Sequence, residues 1–267
     1  MAHKLIPIVS DPDERAMVDL IDSACAEALQ LIQTSWGLDA PEDCRIYVMT
    51  SWPRFIFQSA PWSWRILLAV TLPFWSFRAR RTWPISAAWT VRYGRRVTIG
   101  VKPPRLLAQS DKRFGVRMFV EEKDMPTNIR RVVCHELTHA CSAHLRLPAW
   151  LNEGVAAVTV DRFAGRRTIL IETLDLIRDH QPKAPPPTYR ALARMSGEDF
   201  VYHAVRGYWV VGYVEDRCPG FLKSKFAQAW RADSIEPEIA IELGIRPENF
   251  WSEIDAAIVD HFAQTSV

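Results

Sequence analysis

The sequence predicts an α+β fold, with a leading helix, a small N-terminal sheet, one long motif-bearing helix and a mostly helical C-terminal half. Three observations predict it. Apolar residues recur at helical spacing from residue 11 to about 36, short β-branched runs stand near residues 45, 96 and 116, and helical patterning resumes at about 127 and dominates from there to the end. At 267 residues with 48% hydrophobic and 24% charged side chains, the chain has the composition of an ordinary globular protein, expected as a single domain over 1–267. A net charge of +2 points to no strongly charged partner. The segment 1–10 has no long apolar core and no small-residue cleavage site, so it does not read as a secretory signal.

The elements follow in order. Asp11-Pro12-Asp13-Glu14 places Asp at N-cap, Pro at N1 and Glu at N3 of a first helix. Met17, Leu20, Ile21, Ala24, Ala28, Leu29 and Ile32 continue it on one face, and Gly37 ends it. Strands are expected at residues 45–49, 96–101 and 116–120. Thr127, following Pro126, is the expected N-cap of the next helix. Ile129, Val132, Val133, Leu137 and Ala140 give that helix an apolar side, and Pro148 stops it after about 17–20 residues. A further helix runs from about 148 to a stop near Gly165, and another is expected over 167–180. A proline-rich loop covers 181–187, and 196–267 is mostly helical with a turn at Pro219-Gly220.

His135-Glu136-Leu137-Thr138-His139 carries the chemistry. Residues i and i+4 lie about 40° apart around a helix, so two imidazoles can converge on one metal ion, with the intervening Glu placed to act as general base. A catalytic zinc needs a third protein ligand and an open position. Glu153, fourteen residues beyond His139 on the following helix, is within reach if that helix packs back antiparallel. His144 sits about 140° round the helix from His139 and is the weaker competitor. Ser142 and Leu145 occupy the positions where a metzincin pattern requires Gly and His.

With Leu147-Pro148-Ala149-Trp150-Leu151-Asn152-Glu153-Gly154-Val155-Ala156 added to the H-E-x-x-H motif, the chain resembles the peptidase MA-like branch of the gluzincin zinc metallopeptidases. The likeness is specific at the metal motif. It extends loosely over about residues 95–260, through 202–218, Ala240-Ile241-Glu242-Leu243-Gly244 and Phe250-Trp251. The resemblance implies a zincin-like fold in which an edge strand borders the substrate. It also implies a Zn2+ cofactor held by His135, His139 and Glu153, Glu136 as catalytic base, and a protein or peptide substrate. Relatives often carry a Tyr early in the downstream helix to steady the oxyanion. An ungapped match puts Ala204 there, so Tyr202 and His203, with Arg206 and Tyr208 beside them, become the candidates. The other readings are a zincin-shaped binding or regulatory module with little turnover, and a protease tethered to a membrane or nucleic acid.

Residues 45–110 hold no Asp or Glu, eleven basic residues and six of the eleven tryptophans, which marks a Trp/Arg-rich insertion at about 52–92. Its apolar run, 66–77, is too short for a bilayer-spanning helix, which needs about 20 residues. It is either a packed insertion whose arginines pair with acids such as Asp11, Asp13, Glu14, Glu121 or Glu122, or a peripheral membrane contact with several tryptophans on one accessible face. Nucleic-acid contact is the least favoured.

Five cysteines, an odd and scattered set without a C-x-x-C pair, imply reduced thiols and a cytoplasmic protein, membrane-associated if the insertion meets lipid. Cys134 and Cys141 project about 100–120° from His135 and are expected as buried thiols outside any ligand set.

Overall fold

A computed structural model describes residues 6–110, 115–180, 185–192, 194–195, 197–228 and 234–264. The chain is α+β, with mostly helical structure and one four-stranded sheet. It gathers into two compact units. Residues 1–31, 39–116 and 121–143 form the first, and 32–38, 117–120 and 144–267 the second. No helix among the described residues is long and apolar enough to cross a membrane.

In the first unit, strand β1 (Ile8–Val9) leads through a 3-10 turn, Pro12–Glu14, into α1 (Arg15–Trp36). Asp11 holds the N-cap position but makes no side-chain cap; its carboxylate accepts both guanidinium nitrogens of Arg54 instead. Gly37 takes φ +68°, the left-handed conformation that ends α1 as expected. Strand β2 (Asp43–Val48) follows, then helices α2 (Trp52–Ser59), α3 (Trp62–Val70) and α4 (Leu72–Thr82). Strands β3 (Ala88–Tyr93) and β4 (Arg96–Val101) close the sheet in the order β1-β2-β4-β3. β1, β2 and β4 run parallel, while β3 pairs antiparallel with β4 from an edge. The insertion at 52–92 therefore holds three helices and most of a strand. β3 escapes a reading keyed to the Trp and Arg content of this stretch, although Gly94 at φ +63° forms a two-residue hairpin turn between Tyr93 and Arg96.

Part of the insertion is core. Tyr47, Met49, Phe55, Ile56 and Ala79 form a buried cluster, with Trp52, Trp75, Trp83 and Trp89 packed against it. Trp52–Trp75 and Trp83–Trp89 meet edge to face at 5.9 and 5.5 Å. Some of its arginines pair as a packed insertion requires: Arg54 with Asp11, and, in the flanking chain, Arg105 with Glu14 at 3.8 Å. Helix α3 behaves differently, since it buries none of its side chains and only Leu68 packs, half-buried, against that cluster.

After β4 come α5 (Pro104–Ser110), α6 (Gly115–Met118) and α7 (Met125–Ser142). The strand expected at 116–120 is a correction. Gly115–Met118 turns helically, and only Phe119 pairs, in a single bridge to Ile169. Helix α7 carries the H-E-x-x-H motif. Its N-cap is Asp124, not Thr127, because the Asp124 carboxylate accepts the Thr127 backbone N–H at 3.0 Å and so satisfies an otherwise open donor. The helix ends at Ser142, and Pro148 serves instead as N-cap of the next one.

The second unit contains α8 (Ala149–Ala164), α9 (Thr173–Asp179), α10 (Tyr189–Leu192), α11 (Gly197–Arg217), α12 (Phe221–Phe226), α13 (Ile235–Glu242) and α14 (Phe250–Gln264). Gly165 at φ +63° stops α8 where expected. The helix expected over 167–180 is shorter, because Ile169 is drawn into the bridge with Phe119 and helical structure begins only at Thr173. In the loop expected at 181–187, residues 181–184 lie outside the described residues, and 185–187 are irregular. The closest packing here is between α8 and α11. A Cβ on Gly154 would stand 2.2 Å from the Gly207 carbonyl oxygen, and one on Gly207 would stand 2.1 Å from the Trp150 oxygen. The Trp150 indole N–H donates to Glu236 at 2.9 Å, and its ring meets Trp251 edge to face at 5.2 Å. A buried ion pair, Arg206–Asp255 at 2.8 Å, holds α11 to α14.

Candidate metal centre

The first half of the candidate site is a face of α7. Ile129, Val133, Cys134, Leu137, Ala140 and Cys141 are buried and fix the rotation of the helix. This leaves His135 and His139 half-buried, one turn apart. Their Nε2 atoms are 3.0 Å apart, so both rings turn the same nitrogen toward one point. Arg131 pairs with Glu122 at 2.7 Å, and Arg130 pairs with Glu27 of α1, which anchors the N-terminal half of the helix. At the C-terminal end Arg92 donates to the Ala143 carbonyl at 2.6 Å, where a cation also suits the negative end of the helix dipole.

Glu136 is 8% exposed, and edge strand β3 supplies its partner. Thr90 Oγ1 donates to Glu136 Oε2 at 2.6 Å. The carboxylate is thereby fixed in orientation through one oxygen. Burial raises the Cys134 and Cys141 thiols far above their ordinary range, which keeps both as neutral packing groups.

Glu153, the third residue of the expected ligand set, lies in the second unit, on α8. Tyr189 Oη donates to Glu153 Oε1 at 2.8 Å, and Asn152 Nδ2 donates to the same Oη at 2.6 Å. His144 is exposed. Two imidazole nitrogens with one carboxylate oxygen is a donor set that suits zinc with a position left open.

The residues proposed for the oxyanion belong to the second unit. Tyr202 is buried and donates its hydroxyl to Asp255 at 3.0 Å, beside Arg206. Its ring stacks on His180 with centroids 3.7 Å apart. Tyr208 donates to Asp161 at 2.6 Å. His203 is half-buried; burial first, then the Arg206 guanidinium and His180, push its pKa down to about 4. The two residues that the sequence reading missed are Thr90 and Tyr189. Recognising β3 as a strand would have placed Thr90 at a sheet edge. Tyr189 follows the prolines at 185–187, and nothing in that pattern signals a partner on α8.

No protein-family model, no curated protein and no solved structure matches this chain.

Proposed function

We propose that this protein is a zinc-dependent metallopeptidase of zincin-like shape that hydrolyses peptide bonds in a protein or peptide substrate. The reading rests on one observation: His135 and His139 turn their Nε2 atoms to within 3.0 Å of each other, with Glu153 taken as the third ligand. The Glu136 carboxylate, held by Thr90, stands next to His135 in the chain. The antiparallel edge strand β3 beside α7 supports the zincin shape, since a free edge can pair with an extended peptide backbone.

Zinc, when bound, supplies Lewis acidity to a peptide carbonyl and acidifies a coordinated water toward neutral pH. The chain's residues do the rest. Glu136 takes a proton from the attacking water on a carboxylate oxygen and returns it to the departing amine nitrogen. Thr90 holds that carboxylate in one orientation while the proton moves. Tyr189 and Asn152 hold the Glu153 carboxylate, as hydrogen-bonded partners of metal ligands commonly do. Five free cysteines, four of them buried, support the cytoplasm as its place of work.

The test is metal analysis and peptide-library cleavage by the purified full-length chain. About one zinc per chain together with cleavage is the expected result. Zinc without cleavage of any peptide would leave a zincin-shaped binding module with little turnover, and no bound metal would overturn both readings.

A further inference from the structure

Among the described residues, thirteen large hydrophobic side chains are exposed, and eight of them fall within residues 62–77: Trp62, Trp64, Ile66, Leu67, Val70, Leu72, Phe74 and Phe77. The exposed apolar surface is therefore concentrated in one short stretch, α3 and α4, which break at Thr71 just before Pro73. Phe74 is 87% exposed, Trp62 75% and Val70 72%. Trp62, Ile66 and Val70 follow one another at four-residue spacing and so share one stripe of α3. On α4, Phe74 and Phe77 share their side with Arg78 and Arg81. Arg78, Arg80 and Arg81 are exposed and form no ion pair among the described residues, and no acid occurs from residue 44 to 110.

We propose that the α3–α4 segment is a peripheral docking surface for an anionic lipid bilayer. Its apolar side chains would enter the headgroup boundary, and Arg78, Arg80 and Arg81 would meet the lipid phosphates. The chemistry separates this occupant from the others. Nucleic-acid interfaces are polar and basic, and exposed Ile66, Leu67, Val70 and Leu72 contribute little to one. A two-fold pair of chains would set the same arginines against each other across the interface, with no acid to offset them. A membrane surface accepts both halves of the composition at once, aliphatic and Trp side chains at the boundary and Arg at the headgroups. The helices are too short to span, so the contact is one-sided.

The experiment is co-sedimentation of the full-length protein with vesicles of phosphatidylcholine alone, or of phosphatidylcholine with phosphatidylglycerol. It needs no peptidase activity, so its outcome is separate from that of the proposed function. Binding to the anionic vesicles is expected, and it should weaken as salt rises from about 50 to about 500 mM. A triple change of Trp62, Ile66 and Phe74 to Ser, and separately Arg78→Glu with Arg81→Glu, should each lower binding at least about tenfold. These side chains are exposed, and an unchanged melting temperature will show that the fold is kept. No binding at low salt overturns the proposal. So does a dimer in solution that the Ser changes dissolve, or binding to single-stranded DNA that the Ser changes leave intact.

Discussion

Thr90 on the sheet-edge strand β3 donates its hydroxyl to the Glu136 carboxylate at 2.6 Å, which ties the motif glutamate to the sheet. A hydrogen bond to a charged acceptor is worth about 1.5–3 kcal/mol. If Glu136 is the base, Thr90→Val should lower kcat about ten- to a hundredfold, leave zinc content unchanged and be rescued by Thr90→Ser. Steady-state kinetics beside metal analysis decide it. A fall in KM-limited binding with kcat intact would remove Thr90 from this role.

Glu136 turns its carboxylate to Thr90, while His135 and His139 turn their Nε2 atoms to each other. Glu136→Gln keeps the shape and the Thr90 contact but cannot take a proton. Zinc should stay near one per chain while peptide hydrolysis falls by two or more orders of magnitude, about the share of a general base. Activity close to wild type would refute the assignment.

Glu153 and its neighbours separate ligand from support. Glu153→Ala, like His135→Ala or His139→Ala, should strip the zinc. Tyr189→Phe removes only the hydroxyl that donates to Glu153 at 2.8 Å. Its zinc dissociation constant, measured by chelator competition, should rise about tenfold. Full zinc occupancy in Glu153→Ala would end the three-ligand scheme.

The parts of the candidate site legible in the sequence were those that local spacing controls. His135 and His139 are one turn apart on any helix, and the apolar positions from Ile129 to Ala140 decide which way they face. Gly37, Gly165 and Gly220 announce chain reversals because their backbone needs positive φ. What spacing does not encode is tertiary choice. Thr90 reaches Glu136 across 46 residues and Tyr189 reaches Glu153 across 36, and neither contact leaves a periodic trace. The β-branched run at 116–120 reads as a strand, yet only Phe119 finds a partner, so propensity was overridden where pairing was lacking. Exposure of part of 52–92 was legible, because an acid-free stretch offers its arginines no partners of its own, but which part was not, since an apolar run looks the same whether it is buried or not.

His203 offers a pH signature of the second unit. Its folded pKa of about 4 lies below the ordinary His value, so between the two the unfolded chain binds a proton that the folded chain refuses. Stability from this residue is complete above about 6.5 and drains away as pH falls toward about 4. Denaturant unfolding at pH 7 and pH 5 should show a smaller loss in His203→Gln than in wild type. Equal losses would mean that His203 is not the group responsible.

Gly154 of α8 approaches the backbone of α11. A Cβ there would stand 2.2 Å from the Gly207 carbonyl oxygen and 2.6 Å from its carbon, both backbone atoms that no rotamer change can move aside. Gly154→Ala must therefore push α8 and α11 apart or bend one of them, at a cost of about 1–3 kcal/mol or more for an overpacked core. Gly212, also on α11, is the control. A Cβ there meets only the Phe262 ring, at an ordinary 3.6 Å. Relief of glycine's entropy in a helix should make Gly212→Ala neutral or stabilising by up to about 1 kcal/mol. Thermal melts of the two variants should move in opposite directions, or one should fall while the other stays. If Gly154→Ala melts like wild type, the close approach of α8 to α11 at Gly207 is not what holds the second unit together.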